Sequence, residues 1–147
     1  MKKLIIFSSF FLLSYAGYAQ EAGIRGGDVL GNDIALDLVL RSSSATRIHA
    51  DLGFGNDFGL EVLFDFVNRP LGDGGLSFYL GLGPSFLFAS DLLWGLSGEV
   101  GLEYHFNKLP IAIGADWRPT YYFTDNADFE AGGWGVNARF VFGGRGE

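Results

Sequence analysis

The sequence predicts an all-β protein: a closed antiparallel transmembrane β-barrel of about eight strands, preceded by a cleavable signal peptide. Three observations carry that prediction. Alternation with a period of two recurs in segment after segment, broken by Gly, Asn, Asp, Ser and Pro. Large apolar residues collect on one face of each segment, and small or charged residues on the other. The chain also opens with the pattern of an export signal.

That signal comprises Lys2 and Lys3, the apolar run Leu4 to Leu13, and small residues at Gly17 and Ala19. Cleavage after Ala19 is expected, which divides the chain into a signal peptide (1–19) and a barrel domain (20–147). The apolar run is short for a membrane-spanning helix, and no later run is long enough for one. At 147 residues the chain has one domain's worth of sequence. Hydrophobic residues make up 48%, charged residues 18% and aromatics 16%, with 23 Gly, a mixture that favours many short strands. No Cys is present, so disulfides and Cys-based zinc or redox sites are excluded. A net charge of −7 argues against nucleic acid as a partner.

The first expected strand, Glu21 to Gly27, is short and Gly-rich, with Ile24 set against Arg25; it is needed for an even count. In the second, Ile34, Leu36, Leu38 and Leu40 oppose Ala35, Asp37, Val39 and Arg41. Next, Ile48, Ala50, Leu52 and Phe54 oppose Arg47, His49, Asp51 and Gly53. Phe58, Leu60, Val62, Phe64 and Phe66 then share one face against Gly59, Glu61, Leu63, Asp65 and Val67. The segments 76–89, 94–107, 111–124 and 133–142 follow the same rule. Pro84 and Pro119 each remove a ladder donor, so both are expected at bulges or strand ends. Gly72-Asp73-Gly74-Gly75 and Gly132-Gly133 lack the strand and helix context of a phosphate loop and read as turns. Asp125, Asp128 and Glu130 do not reproduce a calcium-loop spacing and read as a solvated loop.

The bulk distribution sets which face points out. An interior of about eight strands is narrow, so the face rich in Gly, Ser and Ala fits inside and the bulky face outside. In a bilayer, a closed barrel satisfies every backbone polar group. No Arg or Lys falls on an assigned apolar face, where it would cost roughly 2–4 kcal/mol near the midplane. Aromatics near segment ends, namely Phe54, Phe58, Trp94, Tyr104, Trp117, Tyr121, Trp134 and Phe142, are candidates for membrane-interface girdles.

The inward set contains Arg25, Asp37, Arg41, Arg47, His49, Asp51, Glu61, Asp65, Glu99, Glu103, His105, Asp116, Arg118 and Arg139. Near-balanced charge in a narrow tube predicts a paired ion network. His49 and His105 lie beside carboxylates, and Ser97 offers a nucleophile, so a lipid-modifying hydrolase or acyltransferase is the alternative from another class. A narrow ion-conducting pore is the third reading, against which the small bore argues. No catalytic residue, cofactor or metal ligand is assigned.

Two stretches carry a resemblance: Gly23-Ile24-Arg25-Gly26-Gly27, and Gly101-Leu102-Glu103-Tyr104-His105-Phe106 through Leu109-Pro110-Ile111-Ala112 to Asp116-Trp117-Arg118-Pro119. With these the chain resembles the small eight-stranded outer-membrane β-barrel proteins of Gram-negative bacteria, across nearly all of Gln20 to Phe142. The resemblance implies export through the periplasm and insertion by the barrel-assembly machinery, which reads a terminal strand ending in an aromatic residue. Trp134, Val136, Ala138, Phe140 and Phe142 look like that strand, although Gly143 to Glu147 follow it. If both ends are periplasmic, the connections near Ser42-Ser43-Ser44, Pro70 to Gly75 and Asn107 to Leu109 are periplasmic. Those near Leu30-Gly31, Gly55-Asn56, Ser90-Asp91 and Asp125 to Glu130 then face outward. The expected protein is a monomeric, non-enzymatic outer-membrane barrel in contact with outer-membrane lipids, with an envelope-structural or surface-interaction role.

Overall fold

The computed structural model describes residues 20–41, 46–124 and 127–142. The expected signal peptide, the Ser42-Ser43-Ser44 connection, Asp125 and the Gly143 to Glu147 extension lie outside the described residues. Those described form strands and connections without a helix. The strands are β1 (Glu21–Val29), β2 (Asn32–Arg41), β3 (Arg47–Phe54), β4 (Phe58–Pro70), β5 (Leu76–Phe88), β6 (Leu92–His105), β7 (Ile111–Trp117), β8 (Thr120–Tyr122), β9 (Asp128–Glu130) and β10 (Trp134–Val141).

Each of β1 to β6 pairs antiparallel with its successor, β6 pairs with β7, β7 with β10, and β10 with β1, which closes the ring. The ten pieces make an eight-stranded barrel, because β8 prolongs β7 and β9 prolongs β10. Val100 pairs with Trp117 and Ser97 with Thr120, so β6 keeps a single register across the break at Arg118-Pro119. Pro119 lacks an N–H, yet its carbonyl accepts from the Gly98 amide at 2.9 Å, which keeps the interrupted strand in place. On the other side, Trp134 pairs with Trp117 while Glu130 pairs with Thr120, so 131–133 hold one extra residue as a bulge. The hairpin between β1 and β2 turns on Leu30 and Gly31 with φ of 51° and 80°, the left-handed pair that matches strand twist.

Three expectations are corrected. Pro84 sits within β5 rather than at a bulge or end: Glu61–Ser85 and Phe64–Leu82 flank it in one register, so the missing donor is absorbed without a slip. A bulge at Phe66 puts Val67 opposite Leu80 on the outer face, not the inner one, and brings Asn68 inward beside Tyr79. The same shift sends Arg69, beyond the segment assigned from sequence, outward opposite Phe78 near the end of β4. Asp128 to Glu130 are not loop but strand, paired with β8.

The faces are inverted relative to a water-soluble barrel. Ile24, Leu36, Phe64, Leu82, Val100, Leu102, Ile113 and Val136 are exposed around the outside, while Arg25, Arg47, Arg139, Glu61, Glu99 and Glu103 are buried inside. Aromatic contacts form two bands. Toward the end far from the termini lie Phe54–Phe58–Phe88, Trp94–Phe123–Tyr121 and Trp117–Trp134. Toward the termini lie Tyr104–Phe106 and Phe140–Phe142.

Candidate functional site

The inward residues of eight strands converge because period-two alternation sends every second side chain into the bore. Glycines make the room. A Cβ at Gly101 would lie 2.2 Å from Cζ of Tyr79, and one at Gly81 would lie 2.3 Å from Oδ1 of Asp65. Small residues on β5 and β6 therefore leave space for the large polar groups of their neighbours.

Four fully buried arginines organise the lumen. Arg25 donates through Nε and Nη2 to Oδ1 of Asp116 at 2.8 and 2.6 Å, and to the carbonyls of Asp28 and Gly133 at 2.7 and 3.0 Å. The second oxygen of Asp116 accepts from the Tyr79 hydroxyl at 3.0 Å, from Arg118 at 3.2 Å and from Asn137 at 3.3 Å. Arg118, placed by the break before Pro119, also donates to Asp51 and to Glu61 and lies 3.1 Å from Glu99. Arg139 joins Glu21 at 2.9 Å, Asp37 at 3.1 Å and Glu103. Arg47 donates to Asp65 at 2.6 Å and Glu103 at 2.7 Å, with its guanidinium carbon 4.5 Å from the centre of the Tyr79 ring.

His49 sits between these arginines, with Nε2 on Asp37 and Nδ1 3.2 Å from Glu99. Arg41 and His105 stand at the mouth near the termini, where both reach Oε1 of Glu21, at 2.7 and 3.1 Å. Thus Arg25, Asp37, Arg47, His49, Asp51, Glu61, Asp65, Glu99, Glu103, Asp116, Arg118 and Arg139 are drawn into one buried network, and the exposed Arg41 and half-buried His105 form its rim. Sequence reasoning missed Glu21, which is fully buried and joins Arg41, His105 and Arg139. Its signal was parity with Arg25 on the first strand. Also missed were the anchoring roles of Tyr79 and Asn137.

The catalytic alternative needs Ser97 within reach of a base. Instead the Ser97 hydroxyl bonds to those of Ser85 and Thr120, and each ring nitrogen of His49 faces a carboxylate. Three sets bring donor atoms within 4.8 Å of one another: Asp37–His49–Asp51, His49–Asp65–Glu99 and Glu21–Glu103–His105. Every carboxylate in them already lies against a guanidinium, so a metal cation would enter against positive charge. The aromatic candidates Phe54, Phe58, Trp94, Trp117, Tyr121 and Trp134 fall in the far band, and Tyr104 and Phe142 in the band near the termini.

Compared with protein-family models, curated proteins and solved structures, the chain matches none.

Proposed function

We propose that this chain is an exported, monomeric, non-enzymatic outer-membrane β-barrel whose ion-paired lumen holds the barrel shut and whose role is envelope structure or surface interaction. One observation carries the reading: the barrel is inside out, with a continuous apolar exterior and a buried charged interior. Water would penalise so much exposed aliphatic and aromatic surface, whereas hydrocarbon does not. Closure supports the same reading, because a ring of strands leaves no unpaired edge to lipid. The aromatic bands match the girdles of an embedded barrel, and Arg69 lies near a strand end, where its long side chain reaches the interface.

The packed mid-section favours a structural lumen over a pore. Arg118, His49, Tyr79 and Leu63 are each no more than 3% exposed there. Short connections at the far end, such as Leu30-Gly31 and Gly55 to Asp57, leave little material for a large receptor surface.

The test is expression of the full chain in a Gram-negative host, followed by membrane fractionation and mass spectrometry. The proposal expects the protein in the outer-membrane fraction, resistant to alkaline extraction, with Gln20 as its first residue. Recovery as a soluble protein would contradict it.

A further inference from the structure

At the mouth near the termini, the barrel opens into a cavity of about 730 Å³. Its titratable lining is Arg41, His105, Lys108 and Glu103. Glu103 adds no free charge, because Arg47 and Arg139 hold both its oxygens. Arg41 and His105 stand side by side on one oxygen of Glu21, at 2.7 and 3.1 Å, while Arg139 takes the other oxygen at 2.9 Å. One carboxylate thus serves two arginines and a histidine. Lys108, on the turn between β6 and β7, adds a further positive charge to the same cavity. The opposite mouth has the reverse character, with Asp28, Asp33, Asp57, Asp91, Asp128 and Glu130 at the strand ends and connections there, where Arg118, the one basic residue outside the strands among the described residues, is held by four carboxylates. At the vestibule Arg41, Arg69 and Lys108 stand against the buried Glu21 and Asp73 of the β4–β5 connection, so among the described residues a chain of net charge −7 is locally basic here.

We propose that this vestibule binds a phosphate monoester, with Arg41 and Lys108 holding its dianionic head and His105 and Asn68 offering further hydrogen bonds. Among the described residues the guanidinium of Arg41 gives one nitrogen to Glu21 and keeps further donors of its planar fork for phosphate oxygens, and Lys108 supplies a compact charge. The volume lies within the roughly 300–1,000 Å³ of small-molecule sites, so the phosphate carries an organic body. A soluble ester and a lipid headgroup of the phosphatidic acid type share this chemistry. The proposal does not depend on the cellular location of the barrel.

Calorimetric titration of the detergent-solubilised full chain with glycerol 1-phosphate tests it. Saturable binding is expected, weakened at least tenfold in the doubly substituted Arg41→Gln, Lys108→Gln protein and unchanged in Asp57→Asn, Asp91→Asn at the opposite mouth. Lys108→Gln alone, on an exposed turn, keeps the fold intact and is expected to weaken binding at least threefold. Absence of saturable binding overturns the proposal, as does equal binding by the doubly substituted and unsubstituted proteins. Reconstitution in phosphatidylcholine vesicles with and without phosphatidic acid separates the two sources. Competition by phosphatidic acid supports a lipid occupant, and undiminished glycerol phosphate binding supports a soluble one.

Discussion

At the scale of single residues, the interior is decided by exchanges between size and charge. Arg118 faces Asp51, Glu61, Glu99 and Asp116 at once, so its removal leaves four carboxylates without their shared cation. Breaking a buried pair by deleting one partner costs about 3–5 kcal/mol, more than the pair itself contributes. Arg118→Ala is therefore expected to destabilise the folded barrel by at least about 3 kcal/mol in urea unfolding from detergent or vesicles. A loss below about 1 kcal/mol, the range of an exposed pair, would show that water reaches the network. Gly101 makes a separate point about space. A methyl group there meets the Tyr79 ring, which is held between Arg47 and Asp116, so Gly101→Ala should cost about 1–3 kcal/mol. In a Tyr79→Ala background that penalty should disappear, and a double-mutant cycle measures the difference.

At the scale of elements, alternation determines which side chain points where, and its failures have local causes. The inward placement of Asp37, Arg47, Glu99 and Arg139 was legible because a strand offers only two faces and the small residues mark the narrow one. Val67 was misplaced because the bulge at Phe66 inserts one residue, and the adjacent apolar pair Phe66-Val67 hides the shift. Asp128 to Glu130 escaped notice as a strand because β9 lies beyond the apolar belt, where one Phe between two acids carries no face signal. Partnerships were not legible at all. That Arg25 meets Asp116, 91 positions away, depends on ring closure and register, which no local pattern encodes. The outer face yields a depth-dependent prediction. Val100 is central in β6 and Phe88 ends β5, so in vesicles Val100→Arg should cost roughly 2–4 kcal/mol and Phe88→Arg no more than about 1 kcal/mol. Equal costs at both positions would contradict a lipid-facing exterior.

At the scale of the whole molecule, closure, inverted faces and a filled bore form one arrangement. Eight strands make a bore too narrow for bulk water but wide enough for interlocked Arg and carboxylate side chains. The exterior carries little charge to hold the barrel in solution, which fits the proposed hydrocarbon surrounding. The overall architecture followed from repeated alternation and the location of bulk, whereas the axial charge asymmetry depends on which connections share an end of the barrel. Arg41, His105 and Lys108 are far apart or unremarkable in sequence until the turn between β6 and β7 is set beside the end of β2 at one mouth. The central claim, an embedded and closed barrel, is tested most directly by the gel migration of detergent-extracted protein before and after boiling. The account predicts that the protein needs detergent to remain dispersed and that the unboiled form migrates as a compact species, separate from the boiled one. A protein that stays dispersed in plain buffer and shows one position under both treatments would contradict it.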